Sequence, residues 1–213
     1  MAAGGRGSVL HTLVLRMFTL FLRERQDHTC DEQIALAAAK MLRTNNTLKS
    51  LEMSGCLLGS KGVTYIAEAL KSNRTLNSLC LTSTGCGDKG VAALADMLRC
   101  NKTLTELLIS NFIDIEEDKS HYNEVGDDGA VALAGALRVN NSLEKLHLNN
   151  NDFTVEGFKC LMEALLENTA LEQLCVGVNA DDRLAALDQD TWKRVEERIT
   201  KSYGCADICG DYQ

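Results

Sequence analysis

Written in rows of 28 residues, the chain brings the same residue types beneath one another, and a period of this length dictates a stack of like units rather than one closed core. One row runs from Leu48 to Thr75 through Leu48, Leu51, Met53, Cys56, Leu58, Gly59, Gly62, Ile66, Ala67, Leu70, Asn73 and Thr75. The next, Leu76 to Thr103, repeats it with Leu76, Leu79, Leu81, Gly87, Gly90, Leu94, Ala95, Leu98, Asn101 and Thr103. The row from Leu143 to Ala170 matches through Leu143, Leu146, Leu148, Asn151, Gly157, Leu161, Leu165 and Asn168, and Leu171, Leu174, Val176 and Asn179 open a partial fifth. Leu104 to Ser142 keeps Leu104, Leu107, Ile109, Asn123, Gly126, Gly129, Leu133 and Asn140 but is 39 residues long, 11 longer than its neighbours.

Each part of the unit has a physical meaning. The LxxLxL segment alternates as a short strand with Leu51 and Met53 pointing inward. The two glycines serve a tight turn, after which Val63, Ile66, Ala67 and Leu70 fall at helical spacing, the small Ala67 letting helix approach strand. Asn123, Asn151 and Asn179 recur where a side-chain amide can pair backbone groups of the turn. Asn73 is expected to end its helix by adopting the left-handed conformation.

These frames resemble the ribonuclease-inhibitor class of leucine-rich repeats, whose unit reads LxxLxLxxNxLGxxGxxxLAxALxxNxT, from Leu48 to about Asn179. The resemblance implies an α/β solenoid: a curved horseshoe with parallel strands on its concave face and helices on its convex face. It also makes Cys56 a familiar substitute at the Asn position.

One unit cannot bury its own apolar face, so both ends of the stack need caps. Residues 1–47 read as an N-terminal cap with a degenerate first repeat, 48–179 as the repeats with an insert at 112–122, and 180–213 as a C-terminal capping helix and tail. Ile34, Ala38, Ala39, Leu42, Asn45 and Thr47 match the helical half of the first unit. Its strand is either Leu10, Leu13 and Leu15, which spell LxxLxL and are preferred, or Leu20 and Leu22. Trp192, Val195 and Ile199 share one face of a helix beginning near Asp190.

A net charge of −8 repels nucleic acid and anionic lipid and suits a basic or amphipathic protein partner. Nine cysteines, an odd number without a CxxC pair, read as free thiols of a reducing, cytoplasmic setting, with no metal site. Val9 to Leu22 contains His11 and Arg16 and is too short to span a bilayer. The stretch before Glu24 holds Arg6, Arg16 and Arg23 and no acid, so an organelle transit segment is the alternative to a first strand with its loop.

Several motifs yield to the repeat. Gly85, Gly87 and Gly90 spell GxGxxG, but Gly87 and Gly90 are the unit's own glycines, so no dinucleotide cofactor is expected. Sequons beginning at Asn45, Asn73, Asn101 and Asn140 all fall on the unit's own NxT and read as helix-end chemistry. His147 and Cys175 share one position in neighbouring strands, about 5 Å apart, and read as surface contacts rather than a nucleophile pair or half a metal site.

The expected function is protein binding without catalysis, by a monomer and without cofactors. The contact positions are the strand residues Lys49, Glu52, Asn77, Cys80, Glu106, Leu108, Glu144, Lys145, His147, Glu172 and Cys175, taken as exposed on the concave face. The insert, with Asp114, Glu116, Glu117 and Asp118, leaves from a strand end, where loops on rigid scaffolds carry specificity. Resemblance supplies two narrower alternatives: small-GTPase regulation, as in Ran activators, and actin pointed-end capping, as in tropomodulin-like repeat domains.

Overall fold

The computed structural model describes residues 12–14, 29–112, 122–177, 190 and 193–195. Strands and helices alternate through the repeats: β1 (Thr12–Val14), α1 (Thr29–Thr44), β2 (Ser50–Glu52), α2 (Gly59–Leu70), β3 (Ser78–Cys80), α3 (Gly87–Cys100), β4 (Glu106–Leu108), α4 (Asp127–Leu137), β5 (Lys145–His147), α5 (Val155–Glu167) and β6 (Gln173–Cys175). The strands form one six-stranded parallel sheet in sequence order. Leu13, Leu51, Leu79, Leu107, Leu146 and Leu174 stand opposite one another through it. That places Leu13 in the inward position of the first unit, so the register of Leu10, Leu13 and Leu15 is the one adopted.

The core lies between the sheet and the helices. Leu51, Leu79, Leu107 and Leu146 are fully buried, and so are Ile66, Leu94, Leu133 and Leu161 from the facing helices. Strands pack about 4.8 Å apart whereas helices are about 10 Å wide, so a sheet with helices on one side only must curve with its strands inside. Of the C-terminal cap residues, Val195 is helical and fully buried, while Trp192 and Ile199 lie outside the described residues.

Two sets of asparagines tie the units together. Asn123 donates from Nδ2 to Leu81 O and Ser110 O, and its Oδ1 accepts the N–H groups of Thr84 and Cys86. Asn151 donates in the same way to Ile109 O and Leu148 O. Asn179 lies outside the described residues. The helix-end asparagines form a second ladder. Asn101 Oδ1 accepts Thr103 N–H at 2.8 Å and Leu104 N–H at 2.9 Å, while its Nδ2 donates to Leu70 O at 2.7 Å and Asn73 O at 3.2 Å. Asn73, Asn140 and Asn168 repeat this pattern.

This ladder corrects the expected role of these residues. Asn101 and Asn168 are extended (φ −79° and −74°), and Asn73 is not among the positive-φ residues. They end helices by offering carbonyl and amide partners across the repeat boundary, not by a left-handed turn. The glycines also divide their labour. Gly59 and Gly87 take positive φ at the turn, but a Cβ on Gly129 would lie 2.6 Å from Asp88 Oδ1 and 2.7 Å from Val125 Cγ1, so this second glycine serves close packing.

Candidate protein-binding face

Alternation along each strand sends the central leucine into the core and its two neighbours to the opposite, concave face. In-register pairing aligns these neighbours in columns across the sheet: Ser50, Ser78, Glu106, Lys145 and Gln173 in one, and Glu52, Cys80, Leu108, His147 and Cys175 in another. A third column, Lys49, Asn77, Thr105, Glu144 and Glu172, is held by backbone bonds of 2.8 Å from each N–H to the carbonyl of the preceding member.

Lys49, Glu144, Lys145 and Glu172 are exposed, and Glu52, Asn77, Cys80, Glu106 and Leu108 are half-buried. Asn77 Nδ2 donates to Thr103 O, and Ser54 Oγ bridges Glu52 Oε1 at 3.4 Å and Cys80 Sγ at 3.1 Å. The expectation of exposure fails at two positions. His147 is 4% exposed and Cys175 2%, so neither belongs to the open surface. His147 sits in register between Leu108 and Cys175, and Gln173 Nε2 reaches Cys175 Sγ at 3.6 Å. Burial holds the His147 pKa below its ordinary value, and among the described residues its Nε2 has no hydrogen-bond partner.

Charge is distributed unequally between the two faces. On the helical side several acids are paired, Glu32 with Lys61 at 2.7 Å, Glu68 with Lys71 at 2.6 Å, and Glu163 and Glu167 with Arg138, while Asp88 and Asp127 accept backbone N–H groups. Glu106, Glu144 and Glu172 make no ion pair among the described residues. Glu106 stands in register with Lys145, whereas Glu144 and Glu172 follow one another in the third column, one residue ahead of β5 and β6.

The insert rises from a fixed base. Asn123 N–H donates to Asn111 Oδ1 at 2.7 Å, joining its two ends, and Phe112 N–H donates to Ser83 Oγ at 2.9 Å. Asn111 Nδ2 in turn donates to Asn150 O at 2.7 Å. Asp114, Glu116, Glu117 and Asp118 themselves lie outside the described residues. Sequence reasoning located the insert by its length but missed Ser83 and Asn111, whose only sequence signal is a polar residue at a strand end.

The remaining motifs are absorbed by the fold. Three of the turn amides between Gly85 and Gly90 are engaged within the fold: Cys86 N–H donates to Asn123 Oδ1, Gly87 N–H to Asn123 O and Gly90 N–H to Cys86 O. Asn73, Asn101 and Asn140 are buried with both amide atoms engaged, so their sequons are closed to a glycan in the folded chain. Among the described residues no group of three or more His, Cys, Asp or Glu is placed to hold a metal ion, and no helix is long and apolar enough to cross a membrane.

The leucine rich repeat family matches residues 44–67, 72–95, 122–134 and 139–162. No curated protein matches the chain in sequence. Among solved structures, leiomodin-1 actin-binding site 2 is similar with a TM-score of 0.59 and 20% identity, over 76% of this chain and 88% of that one. The C-terminal domain of tropomodulin from Caenorhabditis elegans is similar with a TM-score of 0.57 and 16% identity, over 78% and 95%. At such identities the likeness is one of fold. The frame read from the sequence, the parallel sheet and the four matched segments agree: the chain is a leucine-rich-repeat protein.

Proposed function

We propose that the chain is a non-enzymatic interaction module that holds a protein partner across its concave strand face, with the 112–122 loop adding contacts at the sheet end. One observation carries this reading: Ser50, Ser78, Glu106, Lys145 and Gln173 form an in-register column beside that of Glu52, Cys80 and Leu108 on one rigid sheet face, bordered by the exposed Lys49, Glu144 and Glu172, and none of Lys49, Glu144, Lys145 and Glu172 forms an ion pair among the described residues. Long polar side chains fixed on strands, interspersed with the half-buried Leu108 and Cys80, provide the mixed surface on which proteins recognise one another. Affinity capture from a cell extract tests it. A partner held by the wild type should be lost by a folded Lys49→Ala/Asn77→Ala/Lys145→Ala variant. Equal capture by both would overturn the assignment of the face.

A narrower reading places actin among the partners. It is favoured by the similarity to leiomodin-1 actin-binding site 2 and to the tropomodulin C-terminal domain, which extends over about three quarters of this chain. Elongation of pyrene-labelled actin from filaments blocked at their barbed ends tests it: slowing by the chain supports capping, and unchanged growth removes it.

A further inference from the structure

We propose that β6 is an acid-released latch at the end of the sheet: uptake of a proton by His147 detaches β6 from β5 while β1 to β5 stay paired. Release carries Glu172 and Gln173 off the concave face, so its bearing on partner binding rests on the concave-face reading. The latch itself does not.

His147 is built into the boundary between these two strands, in register with Leu108 of β4 on one side and Cys175 of β6 on the other. Glu52, Cys80 and Leu108 of the same column are half-buried, whereas His147 is 4% exposed and Cys175 2%, so the column closes at this end. Among the described residues the ring Nε2 has no hydrogen-bond partner, although buried polar atoms nearly always have one. A neutral ring can leave Nε2 as a bare acceptor; the imidazolium turns it into a charged donor. Burying a charged donor without a partner costs more than burying a bare acceptor.

The groups around the ring do not offset that cost. Burial is the largest influence and disfavours the cation, Glu106 of β4 favours it, and Lys145 of β5 opposes it. β6 presents the thiol of Cys175 and the uncharged Gln173, while Glu144 and Glu172 stand in the outer column, one residue ahead of their strands. Water must therefore reach Nε2 before the cation is stable. In a stack of repeats each unit contacts only its neighbours, so opening at β6 breaks one interface near the end of the sheet, whereas parting β4 from β5 splits the stack. Beyond its three pairs with β5, β6 is tied at its ends by Leu148 N–H to Cys175 O at 2.7 Å and by Glu172 and Gln173 N–H to Glu144 O at 2.8 and 2.9 Å.

Cys175 reports the opening. Dithiodipyridine reacts with exposed thiols at acid as well as neutral pH, and the buried Cys56, after β2, marks unfolding of the whole chain. Labelling of each site is followed by peptide mass spectrometry. In the wild type the ratio of Cys175 to Cys56 labelling rates should rise several-fold from pH 7.5 to pH 5.5, above and below the ordinary histidine value. It should stay level in His147→Leu and in His147→Gln, two variants that do not titrate and differ in polarity. A wild-type ratio indifferent to pH overturns the latch, and so does an equal rise in the variants. Cys175 and Cys56 accelerating together in the wild type also overturns it, because the acid-dependent loss then belongs to the whole fold. If the ratio rises as expected while partner capture at pH 7.5 proves independent of Lys49, Asn77 and Lys145, the latch stands and the concave-face reading falls.

Discussion

Asp88 closes the amino end of a helix that belongs to the next repeat: its Oδ1 accepts Gly126 N–H at 2.8 Å and Gly129 N–H at 3.0 Å. Asp127 treats α5 in the same way, through Thr154 N–H at 2.7 Å and Gly157 N–H at 3.0 Å. A carboxylate at a helix amino end pairs N–H groups that have no partner within the helix and complements the helix dipole. Asp88→Ala should therefore cost about 1–2 kcal/mol, read as a lower urea midpoint with an unchanged m value. Ser60 holds the equivalent place one repeat earlier, its Cα 3.3 Å from where a Gly90 Cβ would stand. The corresponding amides of α3 already have partners, Gly87 N–H in Asn123 O and Gly90 N–H in Cys86 O, so Ser60→Asp should shift stability by less than about 0.5 kcal/mol by the same measurement.

Asn101 serves four backbone groups across a repeat boundary, and Asn101→Ala removes all four bonds, leaving Asn73 O with Arg74 Nη1. The loss should be about 3 kcal/mol, several times that of an exposed substitution such as Asn46→Ala. Thermal or urea unfolding measures it.

How far the sequence could be read depends on the range of the interaction. The leucine frame is legible because burial of one strand position and one helix face repeats every unit, so periodicity alone exposes Leu51, Leu79 and Leu146. The roles of Asp88 and Asn111 are not legible, because their partners at Gly129 and Asn150 lie about one repeat further along, and an acid in a first helical turn or an Asn after a strand looks local. His147 shows the same limit at the binding face. Alternation correctly puts it on the concave side, yet alternation says nothing of what packs around it there. Among the expected contact positions, Lys49, Glu144, Lys145 and Glu172 are exposed.

His147 also gives the fold a pH dependence with a definite sign. Its folded pKa lies below the ordinary value of 6.5, so on acidification the unfolded chain takes up the proton first. This group therefore leaves stability untouched above about pH 6.5 and subtracts from it as the pH falls through 6.5 toward the lower folded pKa. His147→Leu should remove that acid-dependent loss. It should also raise stability at pH 7.5 by about 1 kcal/mol, by eliminating an unpaired buried polar atom. Urea midpoints of the two proteins at pH 7.5 and 5.5 check both statements.

The cysteines should differ widely in reactivity. Burial pushes the Cys86 thiol up to about 12, whereas Cys100 is exposed at the end of α3. Since the thiolate is the nucleophile, iodoacetamide at pH 8 should modify Cys100 early and leave Cys86 and the buried Cys56 unmodified until the chain unfolds. Peptide mass spectrometry after timed quenching follows each site.

The central claim, that the strand face and not the helical face meets the partner, is tested most directly by placing a photo-crosslinking residue at position 106 in one variant and at the exposed Val131 of α4 in another. Irradiation in extract should yield a protein adduct from position 106 and none from position 131. An adduct from position 131 with none from 106 would contradict the account.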